Sequence, residues 1–323
     1  MSYDWWSQAF PDGQKSLKIR DRAGRNVRIS YGEKGEGQPL FLMHGIGSWS
    51  YGWRHLIEPL SRQFRVICFD AKGHGFSDKP WNFEDPGYQI DGCRQIIEQL
   101  CDRPAVIVGQ SLGALIALAM VQEYPQLCSH LVLINVPIFL DELPNWWMNL
   151  LAYIPLKGVQ AIDRLQWVRG VAPIVRKTVK FFRREVVVDP TKITSEEVYW
   201  ITYPYIEFPG AISNYVEDLQ IALRQIQSLQ RKQPNFISRV REKLPETNQP
   251  TLILWGKQDR WFSFTHGEKL HQCLPNSTLK LIKNCGHDAA AVAPQVIEAE
   301  TIDFLARNSA EFSSIESSNR RSI

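Results

Sequence analysis

Residues 105–120, AVIVGQSLGALIALAM, decide how this chain is to be read. Val106-Ile107-Val108 is a β-branched run that suits a buried strand, and the alanine- and leucine-rich stretch to Met120 suits a helix. Between them stands Gly109-Gln110-Ser111-Leu112-Gly113, a G-x-S-x-G sequence at a strand-to-helix junction. That is the pattern of a nucleophile elbow. The turn is so tight that side chains two before and two after the serine would collide, hence the glycines. The pattern predicts a strained backbone at Ser111, with its hydroxyl held clear of the chain at a helix N-terminus. The pentapeptide alone is a weak signal, because serine between glycines is common in loops. The flanking strand and helix make it a strong one.

Working outward, the same strand-then-loop pattern repeats. Ser16–Ile19 and Val27–Tyr31, joined across Asp21-Arg22-Ala23-Gly24, predict a β-hairpin. Pro39–Met43 predicts a buried strand running into His44-Gly45-Ile46-Gly47, and Phe64–Asp70 another, running into the glycine-punctuated loop 71–80. Leu131–Asn135, Thr251–Trp255 and Thr278–Ile282 complete the set. Strands alternating with helical segments imply an α/β fold, with a parallel sheet covered by helices on both faces. Between Pro137 and Pro245 the alternation stops, and a helical, proline-punctuated stretch is inserted. The expected organisation is a core of residues 1–137 and 245–308, a helical cap at 138–244, and a serine-rich disordered tail at 309–323.

Composition excludes several function classes. The 323 residues carry a net charge of only +3, so nothing global points to nucleic acid. Six cysteines lack C-x-x-C or metal-ligand spacing and are expected to be reduced and buried, as in a cytoplasmic protein. The N-terminus lacks a signal-peptide pattern, and no apolar run approaches the ~20 residues of a spanning helix.

A serine at its ordinary pKa is a poor nucleophile and needs a base, itself oriented by a third group. Of seven histidines, His287 in Asn284-Cys285-Gly286-His287 follows the last predicted strand. Asp259, in Gly256-Lys257-Gln258-Asp259, directly follows another. Each could be an ordinary loop residue. That Ser111, Asp259 and His287 all follow strands, in the order Ser…Asp…His, favours a catalytic relay. The chemistry also needs donors for a developing oxyanion. The backbone N–H of Leu112 is one candidate, and that of Ile46, between two glycines, is the other. No metal or cofactor is required.

On these residues the chain resembles the cap-bearing members of the α/β-hydrolase fold superfamily. The carriers are His44-Gly45-Ile46-Gly47, Gly73-His74-Gly75-Phe76-Ser77-Asp78-Lys79-Pro80, the elbow pentapeptide, Gly256–Asp259 and Gly286-His287. The resemblance implies a mostly parallel, eight-stranded sheet with helices on both faces and an inserted helical cap. The loop 73–80 is similar to that of epoxide hydrolases, haloalkane dehalogenases and meta-cleavage C–C hydrolases. The first two carry aspartate where this chain has Ser111, which argues against both activities. What remains is the serine branch: carboxylesterases, lipases, thioesterases, C–C bond hydrolases, and pigment esterases of the pheophytinase or chlorophyll-dephytylase type. Asp288-Ala289-Ala290 departs from the aromatic or proline that relatives often carry after the histidine. The expected function is cleavage of an acyl ester in a hydrophobic small molecule. C–C cleavage or acyl transfer by the same triad, or a non-catalytic binding role, stand as alternatives.

His44, Trp146, Trp147 and Trp261 are the residues expected to line the substrate pocket. Pro144–Leu156 is dense in apolar side chains, and residues 157–184 carry eight basic residues against one acid, Asp163. Two readings of this stretch stand: a surface peripheral to an anionic membrane, or a lid whose apolar face covers the pocket while its charges are solvated. Amphipathicity alone over-calls membrane contact, which favours the lid.

Overall fold

The computed structural model of the chain describes residues 4–80 and 87–320. Its strands are β1 (Lys15–Arg20), β2 (Asn26–Lys34), β3 (Pro39–Met43), β4 (Arg65–Phe69), β5 (Ala105–Gln110), β6 (Cys128–Ile134), β7 (Thr251–Gly256) and β8 (Ser277–Ile282). They form one eight-stranded sheet in the order β1-β2-β4-β3-β5-β6-β7-β8. The β1–β2 hairpin joins antiparallel to β4, and all later neighbours are parallel. The eight-stranded, mostly parallel expectation holds.

Side chains alternate along a strand, so each central strand feeds two layers. Phe41, Met43, Ile107, Leu131 and Leu133 pack on one side with the helices Gly87–Leu100, Leu112–Glu123 and Phe264–Cys273. Leu40, Leu42, Val106, Val108, Val132 and Ile134 pack on the other with Arg54–Leu60 and Pro294–Arg320. Burial on both faces is why these strands read as continuous apolar runs. The helix Pro294–Arg320 also runs through most of the segment expected to be disordered. A helix nucleated on packed residues extends through serine at modest cost per residue. Residues 321–323 lie outside the described ones. Among the described residues, no helix is long and apolar enough to cross a membrane.

Six α-helices lie between β6 and β7: Trp146–Ala152, Leu156–Arg164, Ala172–Phe182, Ser195–Glu207, Ala211–Gln230 and Phe236–Glu242. The last packs with the elbow helix in the first core layer through Phe236, Ile237 and Val240, although it falls within 138–244. The helix Ser195–Glu207 is docked by aromatic side chains. Trp200 is buried beside Trp49, whose Nε1 donates to the Trp200 carbonyl at 2.9 Å, and Tyr203 stacks on Phe76.

Strand order reverses around β3 and β5. In open α/β sheets such a switch opens a crevice at the carboxyl ends of the strands. Ser111, Asn135, Asp259, His287 and the His44–Gly47 loop all follow the carboxyl ends of core strands.

Candidate active site

Ser111 sits between β5 and its helix with φ 54° and ψ −124°, the strained conformation that the pentapeptide predicts. Such a backbone costs about 1–3 kcal/mol and persists only where its surroundings dictate it. A Cβ on Gly109 would lie 2.6 Å from the Cα of Ala114, and one on Gly113 would lie 2.3 Å from the carbonyl of Met43. Both glycines are therefore steric requirements of the turn.

The three residues expected to act together meet. His287 Nδ1 lies 2.8 Å from Asp259 Oδ2, and His287 Nε2 lies 3.0 Å from Ser111 Oγ. A carboxylate only accepts, so Nδ1 carries the proton and Nε2 accepts from the serine hydroxyl. Asp259 is oriented through its other oxygen, which accepts from the amides of Trp261 at 2.8 Å and Phe262 at 3.0 Å. Its side chain is wholly buried, and the Trp261 and Phe262 rings lie against His287. Water is thus kept from the imidazole on that side.

Ile46 and Leu112 line the same cleft as Ser111. Among the described residues, neither amide is engaged in a hydrogen bond. The Ile46 loop approaches so closely that a Cβ on Gly45 would lie 3.0 Å from Ser111 Cβ.

The cleft holds about 870 Å³ of non-atom space, partly open to solvent. Its walls are aliphatic: Leu140, Leu143 and Met148 from the insertion's start, Leu219 and Ala222 from Ala211–Gln230, with Trp261 at the Asp259 loop. Of the four residues expected to line it, only Trp261 does. Trp146 points outward with 70% of its surface exposed, because the helix Trp146–Ala152 turns Met148 inward instead. Trp147 packs on Phe182. His44 is committed to the backbone: Nε2 accepts from the Ala71 amide at 3.0 Å and Nδ1 donates to the Gly45 carbonyl at 2.9 Å. Burial, with His74 nearby, pushes its pKa down to about 3, so it stays neutral.

The one charged side chain among the described lining residues is Asp218. It lies 3.1 Å from His74 Nε2. Burial lowers the His74 pKa, but the Asp218 charge more than offsets this and leaves it raised.

Two groups of supporting residues escape sequence reasoning. Asn135, fully buried after β6, donates from Nδ2 to the His287 carbonyl at 2.6 Å and accepts at Oδ1 from the Gly256 amide at 2.9 Å. It ties the His287 loop to the strand end that precedes Asp259. The second group joins elbow, histidine loop and insertion. Gln110 donates to Asp288 at 3.1 Å and accepts from the Ala290 amide at 3.0 Å. Asp288 pairs with Arg183 at 2.6 Å, Arg183 with Glu197 at 2.6 Å, and Glu197 with Arg54 at 3.1 Å. Burial raises the Asp288 pKa, but Arg183 outweighs it and holds the carboxyl below its usual range. The departure at Asp288 is therefore an ion-pair anchor.

This geometry accords with the comparisons. The family model described as alpha/beta hydrolase fold matches residues 38–294, and the chain belongs to that family. It is 27% identical over 297 residues to a 2-hydroxy-6-oxononadienedioate/2-hydroxy-6-oxononatrienedioate hydrolase of Comamonas testosteroni, covering 90% of this chain and 96% of that one. A 2-hydroxy-6-oxo-6-phenylhexa-2,4-dienoate hydrolase of Burkholderia cepacia is 26% identical over 297 residues, with the same coverage. Among solved structures, a meta-cleavage product hydrolase of Pseudomonas fluorescens IP01 superposes with a TM-score of 0.72 at 22% identity, covering 90% of this chain and 98% of that one. A thermophilic esterase of Thermogutta terrifontis does so with 0.65 at 20% identity, covering 91% and 98%. These two structural likenesses speak for the fold alone.

Proposed function

We propose that this protein is a serine hydrolase that cleaves an acyl ester bond in an uncharged, apolar substrate. The observation that carries this is the Ser111–His287–Asp259 relay at the floor of an aliphatic cleft whose one charged described lining residue is an acid. Ser111 Oγ attacks the carbonyl carbon as its proton passes to His287 Nε2. The amides of Ile46 and Leu112 donate to the oxyanion of the tetrahedral intermediate. Collapse expels the alcohol, which takes the proton from His287. A water activated by the same nitrogen then adds to the acyl-enzyme, and the acid leaves with Ser111 restored.

A second reading, hydrolysis of a C–C bond by the same groups, is favoured by the named activities of relatives that match nearly the whole chain. Those names describe carboxylate substrates. A dienoate or dienedioate entering this cleft would meet Asp218, already paired with His74, with no lysine or arginine among the described lining residues to hold a carboxylate. Burying an unpaired carboxylate there is costly, so the cleft favours the neutral ester.

The test is a panel of neutral esters of graded acyl length beside a 2-hydroxy-6-oxo-dienoate. Ester turnover that rises with acyl length and vanishes in Ser111→Ala is the expected result. Rapid cleavage of the dienoate with negligible ester turnover would replace the first reading by the second.

A further inference from the structure

Among the described residues, ten of the eleven large apolar side chains left exposed lie between positions 146 and 199. They form stripes of helical period. On Trp146–Ala152 and the turn after it, Trp146, Leu150 and Tyr153 face out, while Met148 and Ala152 are buried. On Leu156–Arg164 and its end, Ala161, Ile162 and Leu165 face out, and Leu156 and Asp163 are buried. On Ala172–Phe182, Ile174, Lys177, Thr178 and Phe181 are exposed at i, i+3, i+4 and i+7. Trp167, 65% exposed, stands in the turn between the last two helices. The Trp147 and Phe182 rings, 5.3 Å apart, bring the first and third of these helices together. One apolar side of this segment therefore faces away from the cleft, besides the one through which Met148 covers it. An exposed apolar surface of this extent marks an interaction site.

Its charge identifies the partner. Residues 157–184 hold eight basic residues and one acid; Arg183 is committed inward to Asp288 and Glu197 and Arg169 pairs with Glu207, while the acid, Asp163, is buried and accepts from the Ser213 amide and hydroxyl. Lys157, Lys177 and Lys180 are exposed among the apolar stripes. A second copy of the chain docked face to face would set cations against cations. An anionic bilayer instead takes the aromatic and aliphatic side chains at its headgroup boundary and neutralises the lysines. We propose that the outer face of residues 146–184 docks the protein on the surface of an anionic lipid membrane, as a peripheral contact without a spanning helix. Met148 on the inner side of Trp146–Ala152 lines the cleft, so the bilayer would lie one helix width, about 10 Å, from it. The docking does not depend on the chemistry at Ser111.

Vesicle flotation of the full chain tests this, using phosphatidylcholine alone and phosphatidylcholine mixed equally with phosphatidylglycerol. Wild type and Ser111→Ala are expected to float equally with the mixed vesicles and weakly with the neutral ones, which separates docking from catalysis. Lys177→Ala/Lys180→Ala should weaken binding about 25-fold, roughly fivefold for each lysine. Trp167→Ser/Phe181→Ser, both at exposed positions, should abolish flotation while circular dichroism and turnover of a short soluble ester stay as in wild type. Equal retention on both vesicle types, or retention indifferent to these substitutions, would overturn the proposal. So would self-association that Trp167→Ser/Phe181→Ser abolishes in a protein that does not float.

Discussion

The floor and the roof of the cleft are built by different means. The floor is a set of loops at adjacent strand ends, and each side chain of the Ser111–His287–Asp259 relay is set by short contacts: Gly109 and Gly113 for Ser111, two amides for Asp259, Asn135 for His287. The roof is a string of helices fastened to the core at separate points, among them Arg183 to Asp288, Glu197 to Arg54, Asp218 to His74, and Trp200 to Trp49. Residues 157–184 bury only Asp163 and Ala172. The contrast teaches a division of labour: the floor determines which bond chemistry is available, and the roof determines what reaches it and from where.

The largest effects should therefore come from the floor. Ser111→Ala should lower kcat by about 10⁶-fold with the fold intact, and residual turnover near wild type would break the distinction at once. Asp259→Asn should cost about 10⁴-fold in kcat, because an amide in place of Oδ2 favours the wrong imidazole tautomer. Both follow from steady-state kinetics on a chromogenic ester.

At the junction of the two regions, stability should respond along with activity. Arg183→Met leaves the Asp288 and Glu197 carboxylates with less compensation in a buried site. Breaking such a pair from one side costs about 3 kcal/mol, measurable as a lowered urea midpoint. An unchanged midpoint would mean that the network does not fasten the roof.

Effects confined to the roof should be smaller and concern selectivity. Ala222→Phe narrows the aliphatic wall, and about a tenfold loss of kcat/KM on long acyl esters relative to short ones is expected. The smallest effect should be a pH dependence of thermal stability from His74. Its folded-state pKa is raised above the ordinary 6.5. Its contribution is therefore complete below about pH 6.5 and is lost as pH rises through the raised value. A Tm series over that window should show the decline in wild type, and Asp218→Asn should flatten it.

The same division explains what was legible in the sequence. Ser111, Asp259 and His287 could be found because each follows a recognisable strand, and the fold aligns strand ends. The eight-stranded sheet was legible for the same reason, through its apolar runs. Asn135 and the Gln110–Asp288–Arg183 chain were not, since their partners lie far away in sequence, 152 residues for Asn135 to His287 and 178 for Gln110 to Asp288. Trp146 and Trp147 show the other limit. A stripe of period 3.6 has the same sequence whether it faces the cleft or the solvent. Trp200 and Tyr203 likewise serve to dock a helix, on Trp49 and Phe76.

The central claim is that Ser111 is a nucleophile activated by His287. Intact-mass and peptide analysis after exposure to a fluorophosphonate tests it most directly. Wild type is expected to gain one phosphonyl group on Ser111, His287→Ala to label far more slowly, and Ser111→Ala not at all. Labelling of Ser111→Ala at the wild-type rate, or no labelling of the folded wild type, would contradict it.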